Sequence, residues 1–341
     1  MQDVYSGPGL AGIPRGTVKK LRVVAIDFRA ALIGGNGNSG PAGGAFVATP
    51  VALSNGCWDP KIVLGDADVH ADGSAYFVVP SRVPVYFQAI DDRGHMVQTM
   101  RSWSTLQPGE KQSCVGCHES KNSVPLPFRV TEALRRQPQS LRPFYGPPRG
   151  FSFVKEIQPI LNRHCTRCHD DRSQLPFVAG PESGQPDTGV PKQDRSFSLL
   201  AEETVDTAAK RRFSDAYLAL TGAKDGGKRG AFVGQSRPLV NWISPQSAPP
   251  MLPPYSAGAA RSGLIKLLEE GHKQTRLSRE ELDKIACWID LVIPYCGDYL
   301  EAHAWSPGEV DRYQKMLEKR QRMEQFERAN IEQFLAERGH P

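Results

Sequence analysis

The stretch FSFVKEIQPILNRHCTRCHD, residues 151–170, carries two signals at once. Phe153, Val154, Ile157, Ile160 and Leu161 recur at helical spacing, which predicts a helix with one apolar face. That helix runs into Cys165-Thr-Arg-Cys168-His169, a cysteine pair with histidine directly after the second member. The same pattern stands 51 residues earlier in SCVGCHE, residues 113–119, as Cys114, Cys117 and His118. With seven cysteines and eight histidines in 341 residues, chance alone supplies about 0.003 such motifs.

A Cys-x-x-Cys pair serves as a redox disulfide, as half of a zinc site, or as a haem attachment site. A redox pair needs no histidine. One zinc ion held by all four cysteines leaves both histidines unexplained. Haem attachment uses every residue: each cysteine bonds one vinyl group through a thioether, and the adjacent histidine is held beneath the iron. The expectation is two covalent c-type haems, one on Cys114, Cys117 and His118 and one on Cys165, Cys168 and His169. His118 and His169 are the expected proximal iron ligands.

The opposite axial position decides the role of each iron. A strong sixth ligand favours electron transfer, whereas an open position permits substrate chemistry. For the second haem the candidates are Met251, set in PPMLPP, and His272, at the end of an amphipathic stretch, with His272 slightly favoured. For the first haem His70, His95, Met100 and His164 are all compatible and none stands out, so an open iron is also allowed. Arg101 and Arg163 are candidates to pair with haem propionates.

Outward from the motifs, residues 1–112 read as a β-rich domain. KKLRVVAIDF (19–28), SAYFVVP (74–80), PVYFQAID (84–91) and HMVQTMRSW (95–103) are β-branched and aromatic runs, with turn signals at Asp72-Gly73 and Asp91–Gly94. An antiparallel, sandwich-like arrangement is expected. The glycine-rich run 32–45 lacks the strand and helix context of a nucleotide site and reads as a loop. Residues 113–123 form the first haem-attachment segment, and the six prolines of 124–150 read as a semi-rigid linker. Residues 151–305 read as an all-α, cytochrome c-like domain, with helices at 215–222, 259–272 and 278–293, the last opened by a Ser278/Glu281 capping box. Residues 306–341 read as one long amphipathic, highly charged helix, opened by Ser306, Pro307 and Glu309. The fold class is therefore α+β and multidomain.

Composition fits this reading. Hydrophobic residues make up 39% and charged residues 23%, enough apolar material for packed cores. A net charge of +5 gives no ground for nucleic-acid binding, and no window is long and apolar enough to span a membrane. MQDVYSGPGLAGIPRG has no apolar core of a signal peptide. Of the remaining cysteines, Cys287 and Cys296 are placed for a disulfide or for two buried thiols, and Cys57 reads as a packed thiol.

DVYSGPGLAGIPRGTVKKLRV, DGSAYFVVPSRVPVYFQAID, VQTMRSWSTLQPGEKQSCVGCHE and EIQPILNRHCTRCHD resemble the C-terminal part of the hydrazine synthase alpha subunit family. MLPPYSAG, LLEEGH and IACWIDLVIPYCGDY are similar to cytochrome c domains of planctomycete-type bacteria. The resemblance implies a dihaem scaffold, a periplasmic or otherwise exported location, and redox partners or other subunits of a complex. It also implies that the chain is a piece of a longer protein or a separately encoded subunit. In that family a tyrosine four residues after the first motif's histidine binds the iron; here Asn122 stands at that position. Two roles follow: a dihaem cytochrome that passes single electrons, or a haem enzyme with an open first iron acting on a small nitrogen compound or peroxide. The electron carrier is the first expectation.

Overall fold

The computed structural model describes residues 1–27, 60–117, 130–170, 197–207, 210–221, 239–242 and 251–338. His118, Cys57 and the glycine-rich run 32–45 lie outside the described residues.

The first half builds one antiparallel sheet. Its strands are β1 (Lys20–Ile26), β2 (Lys61–Asp68), β3 (Val85–Ile90), β4 (Met96–Thr99) and β5 (Arg149–Gly150), in the order β4-β3-β1-β2-β5. Side chains alternate between two faces, as the two-residue period of a strand requires. Val24, Ile26, Val63 and Tyr86 enter the main core, while Val23, Ala25 and Val85 enter a second cluster with Phe77, Phe87 and Leu141. The expected sandwich is thus replaced by a single sheet whose inner face is covered by helices. Apolar residues of the later sequence supply the opposing layer, so no second sheet is needed to bury it.

Two strand readings change. SAYFVVP is not a ladder strand: Phe77 makes one isolated parallel bridge to Gln139, with Val78 N–H donating to Gln139 O. Pro80 has no N–H to extend such a ladder. β2 carries a weak strand signal in the sequence because Gly65 and two aspartates, Asp66 and Asp68, depress its strand propensity. Gly65 is required at φ 138, because a Cβ there would lie 2.4 Å from the backbone oxygen of Arg142. The proline-rich stretch is bound to the body along 131–150: Thr131 and Ala133 are buried, Arg142 bridges Asp66, and Phe144 joins the main core.

The second half contributes α1 (Gln158–His164), the β6–β7 hairpin (Glu203–Asp206 and Arg211–Ser214), α2 (Asp215–Thr221), α3 (Gly263–Glu270), α4 (Arg279–Asp290) and α5 (Pro307–Glu337). The hairpin corrects the all-α expectation, and its Phe213 is buried among Tyr217 and Tyr295. These join Phe153 and Trp288 in one aromatic cluster, with Phe153 5.1 Å from Trp288 and Tyr217 4.8 Å from Tyr295. Buried polar tips are satisfied: Tyr217 Oη donates to Ile293 O at 2.9 Å and Trp288 Nε1 to Pro294 O at 3.1 Å.

A wide turn over Phe153–Ile157 precedes α1, in which Gln158 N–H donates five residues back to Phe153 O. The extra residue turns Val154 outward, so it leaves the apolar face on which the sequence placed it. Phe153, Ile157, Ile160 and Leu161 remain buried. The capping box of α4 forms as read, with Ser278 N–H on Glu281 Oε2 (2.8 Å) and Glu281 N–H on Ser278 Oγ (3.3 Å). α4 also ties helix layer to sheet: buried Asp290 accepts from Met96 N–H (3.0 Å) at the start of β4 and from Ala259 N–H (2.7 Å). α5 is mostly exposed and docks through Tyr313, packed with Tyr299 and Trp305. No helix among the described residues is long and apolar enough to cross a membrane.

Candidate functional site

The first motif is held by backbone. Gln2 N–H donates to Cys114 O at 2.8 Å and Asp3 N–H to Val115 O at 3.2 Å, so the chain's first residues pair with it like a short strand. Gly116 has to be glycine: a Cβ would lie 1.9 Å from Ser6 O. Cys117 packs against the cluster of Val4, Leu10, Val18, Leu21, Ala75, Ala89 and Val97. Burial there, with Cys114 beside it, pushes its thiol up to about 12. A neutral sulfur is favoured at this place.

The second motif is held by a helix. Cys165 caps α1, and the backbone N–H groups of Cys168 and His169 both return to Cys165 O, at 3.1 and 3.0 Å. Cys165 packs against the main core, and burial raises its thiol to about 11; Cys168 is exposed. The His169 ring meets the edge of Phe197 at 5.3 Å and faces His272 at 6.2 Å between centroids, with 21° between the two planes. Its Nδ1 is buried without a hydrogen-bond partner. Burial, and then the imidazole of His272, lower His169 from its ordinary pKa, which favours the neutral ring able to offer a lone pair.

His272 is presented by a tight turn. α3 ends at Gly271 (φ 86), Thr275 N–H donates to His272 O at 2.8 Å, and Lys273 and Gln274 are both left-handed. Met251 lies on a different segment. Its neighbour Leu252 accepts from Gln98 Nε2 at 2.7 Å, and Tyr255 N–H donates to Val97 O at 2.9 Å, which fixes this stretch along β4.

The residues weighed opposite the first motif are engaged elsewhere. His70 Nδ1 is 3.5 Å from Glu132, His95 Nε2 is 3.5 Å from Glu269, Met100 packs against the main core, and His164 Nε2 is 2.9 Å from Glu281. Arg163 also bonds Glu281, at 2.8 Å. The four motif cysteines are all described, and no group of three His, Cys, Asp or Glu side chains gathers at metal-binding geometry among the described residues. Cys287 and Cys296 are buried free thiols rather than a disulfide.

Thr275 carries no signal in the sequence, and Glu281 is marked there only as a helix cap. The capping box at Ser278 marks Glu281, but only the fold shows that the same carboxylate receives the last turn of α1.

Residues 16–119 match the family profile described as the hydrazine synthase alpha subunit middle domain. That span covers strands β1 to β4 and the first motif, so the likeness shown there is to a middle domain, and the expected C-terminal part is not shown by it. Hydrazine synthase subunit alpha of Kuenenia stuttgartiensis is 25% identical over 254 residues, covering 56% of this chain and 30% of that protein. The solved Kuenenia stuttgartiensis hydrazine synthase shares the fold at a TM-score of 0.50 and 19% identity, over 83% of this chain and 40% of that one. The chain spans less than half the length of either relative.

Proposed function

We propose that this chain is the haem-bearing part of an oxidoreductase of the hydrazine synthase alpha type, in which the first iron takes a small nitrogen compound and the second haem exchanges electrons with it. Cys114, Cys117 and His118 would hold the first haem, and Cys165, Cys168 and His169 the second, with His272 as its sixth ligand. Haem, when bound, supplies one-electron chemistry at iron.

The observation that carries the reading is the pair of imidazoles. A metal held about 2 Å from a nitrogen of each ring separates the ring centres by roughly 6 Å. The His169–His272 spacing of 6.2 Å and the near-parallel planes suit that arrangement. Met251, fixed along β4, suits it less. At the first motif the engagement of His70, His95, Met100 and His164 with other partners supports an open position. Likeness to an enzyme subunit rather than to a carrier weighs the same way, so the enzyme displaces the dihaem electron carrier as the preferred role. Asn122, in place of the family's tyrosine, argues for a first iron held differently from hydrazine synthase, which is why the substrate is given only as a class. Other subunits of a complex are the partners this reading implies. Covalent haem attachment implies an exported location.

The test is an electron paramagnetic resonance spectrum of the oxidised protein, matured with covalent haem. One high-spin and one low-spin haem are expected, with cyanide converting the high-spin signal to low spin. Two low-spin haems unaffected by cyanide would return the chain to the electron carriers.

A further inference from the structure

The third residue of the second motif reaches across to the segment that carries the opposite histidine. Arg167 Nη2 donates to Thr275 Oγ1 at 3.2 Å. Thr275 is the residue whose N–H closes the turn on His272 O. A second tie runs alongside. Arg163 and His164, in the last turn of α1, both meet Glu281 Oε1, at 2.8 and 2.9 Å. Glu281 is itself fixed by Ser278, only three residues beyond Thr275. The element that carries His169 and the element that carries His272 are thus joined at two points, neither of which uses His169 or His272 itself.

We propose that Arg167–Thr275 and the Glu281 clamp on Arg163 and His164 form a brace that fixes the spacing and relative plane of the His169 and His272 rings. The inference rests on the reading that these rings flank a haem iron. Arg167, Thr275 and Glu281 are positioning residues. They act through the ligands, as outer partners do at metal sites. The angle between two axial imidazole planes splits the iron d orbitals, so a small rotation of either ring is visible in the low-spin spectrum. Near-parallel planes give a rhombic signal, and crossed planes give a strongly anisotropic one.

The experiment compares low-spin resonance spectra and reduction potentials of the mature dihaem protein with those of Arg167→Ala, Thr275→Val, Thr275→Ser and Glu281→Gln. The wild type is expected to show a rhombic signal at the second haem. Arg167→Ala and Thr275→Val should move its highest g value and its potential in the same direction, and the double variant should go no further than the larger single change. Thr275→Ser, which keeps the hydroxyl, should restore both, and Glu281→Gln should broaden the signal. Spectra and potentials unchanged in Arg167→Ala, Thr275→Val and Glu281→Gln, at full haem content, would overturn the brace while leaving His169–haem–His272 intact. A wild type without any low-spin bis-imidazole signal would overturn the haem reading and the brace with it.

Discussion

The two Cys-x-x-Cys-His segments share one pattern and are carried in opposite ways. The first is laid against the chain's opening residues and the β side of the molecule by backbone bonds from Gln2 and Asp3. The second is the continuation of a helix, anchored by side chains to α4 and to the turn after α3. The third position of each motif sums up the difference. Gly116 is small so that the Ser6 backbone can approach, whereas Arg167 is long so that it can reach Thr275. The same five-residue signature therefore leaves room for two different supports. In the second, another imidazole faces the motif's own histidine.

The largest expected effect breaks the comparison outright. Replacing Cys165 and Cys168 with serine should remove one covalent haem, seen as a loss of one haem mass in the intact protein, while the first motif keeps its own. Retention of two haems would show that the second motif is not an attachment site. Next comes Gly116→Ala, which forces a Cβ into the Ser6 carbonyl. It should cost about 1–3 kcal/mol in denaturant unfolding, as overpacking does, and should weaken only the first-haem signal.

Glu281→Gln sharpens the second side. Burial works against its charge, yet hydrogen bonds from Ser278 and His164 hold the carboxyl down at about 2, against an ordinary value of 4.5. Its contribution is therefore present above about pH 4.5 and lost as pH falls toward 2. The variant should lose about 1–3 kcal/mol at neutral pH, and its stability should fall less steeply than the wild type's between those two values. Equal slopes would show that the clamp contributes nothing. The smallest effect is expected at Phe326→Ser, on the exposed flank of α5, where the side chain is 60% exposed. A change within about 0.5 kcal/mol is expected by thermal unfolding, and a larger one would reveal packing on that helix.

Legibility in the sequence followed the range of the forces involved. β1, β3 and the helices α2 to α5 were visible because their periodicity and caps are local, and the Ser278/Glu281 box formed as the spacing predicted. β2 was not, because Gly65 answers to Arg142, far along the chain, and Asp66 to Arg22 on the neighbouring strand. The proline-rich stretch shows the same limit. Its prolines mark extended backbone correctly, but the burial of Phe144 against Arg22 depends on a sheet the stretch itself does not contain. Val154 left its apolar face because one wide turn, unmarked in the pattern, shifted the helical phase.

The sequence by itself determined the two motifs, cysteine pairs each followed by histidine, because such a pattern needs only neighbouring residues. Tertiary structure alone decided which imidazole faces which. His169 and His272 are 103 residues apart in sequence yet 6.2 Å apart in space. Such a meeting depends on how α1 and the turn after α3 pack around α4, a sum of many weak contacts that no short motif can encode.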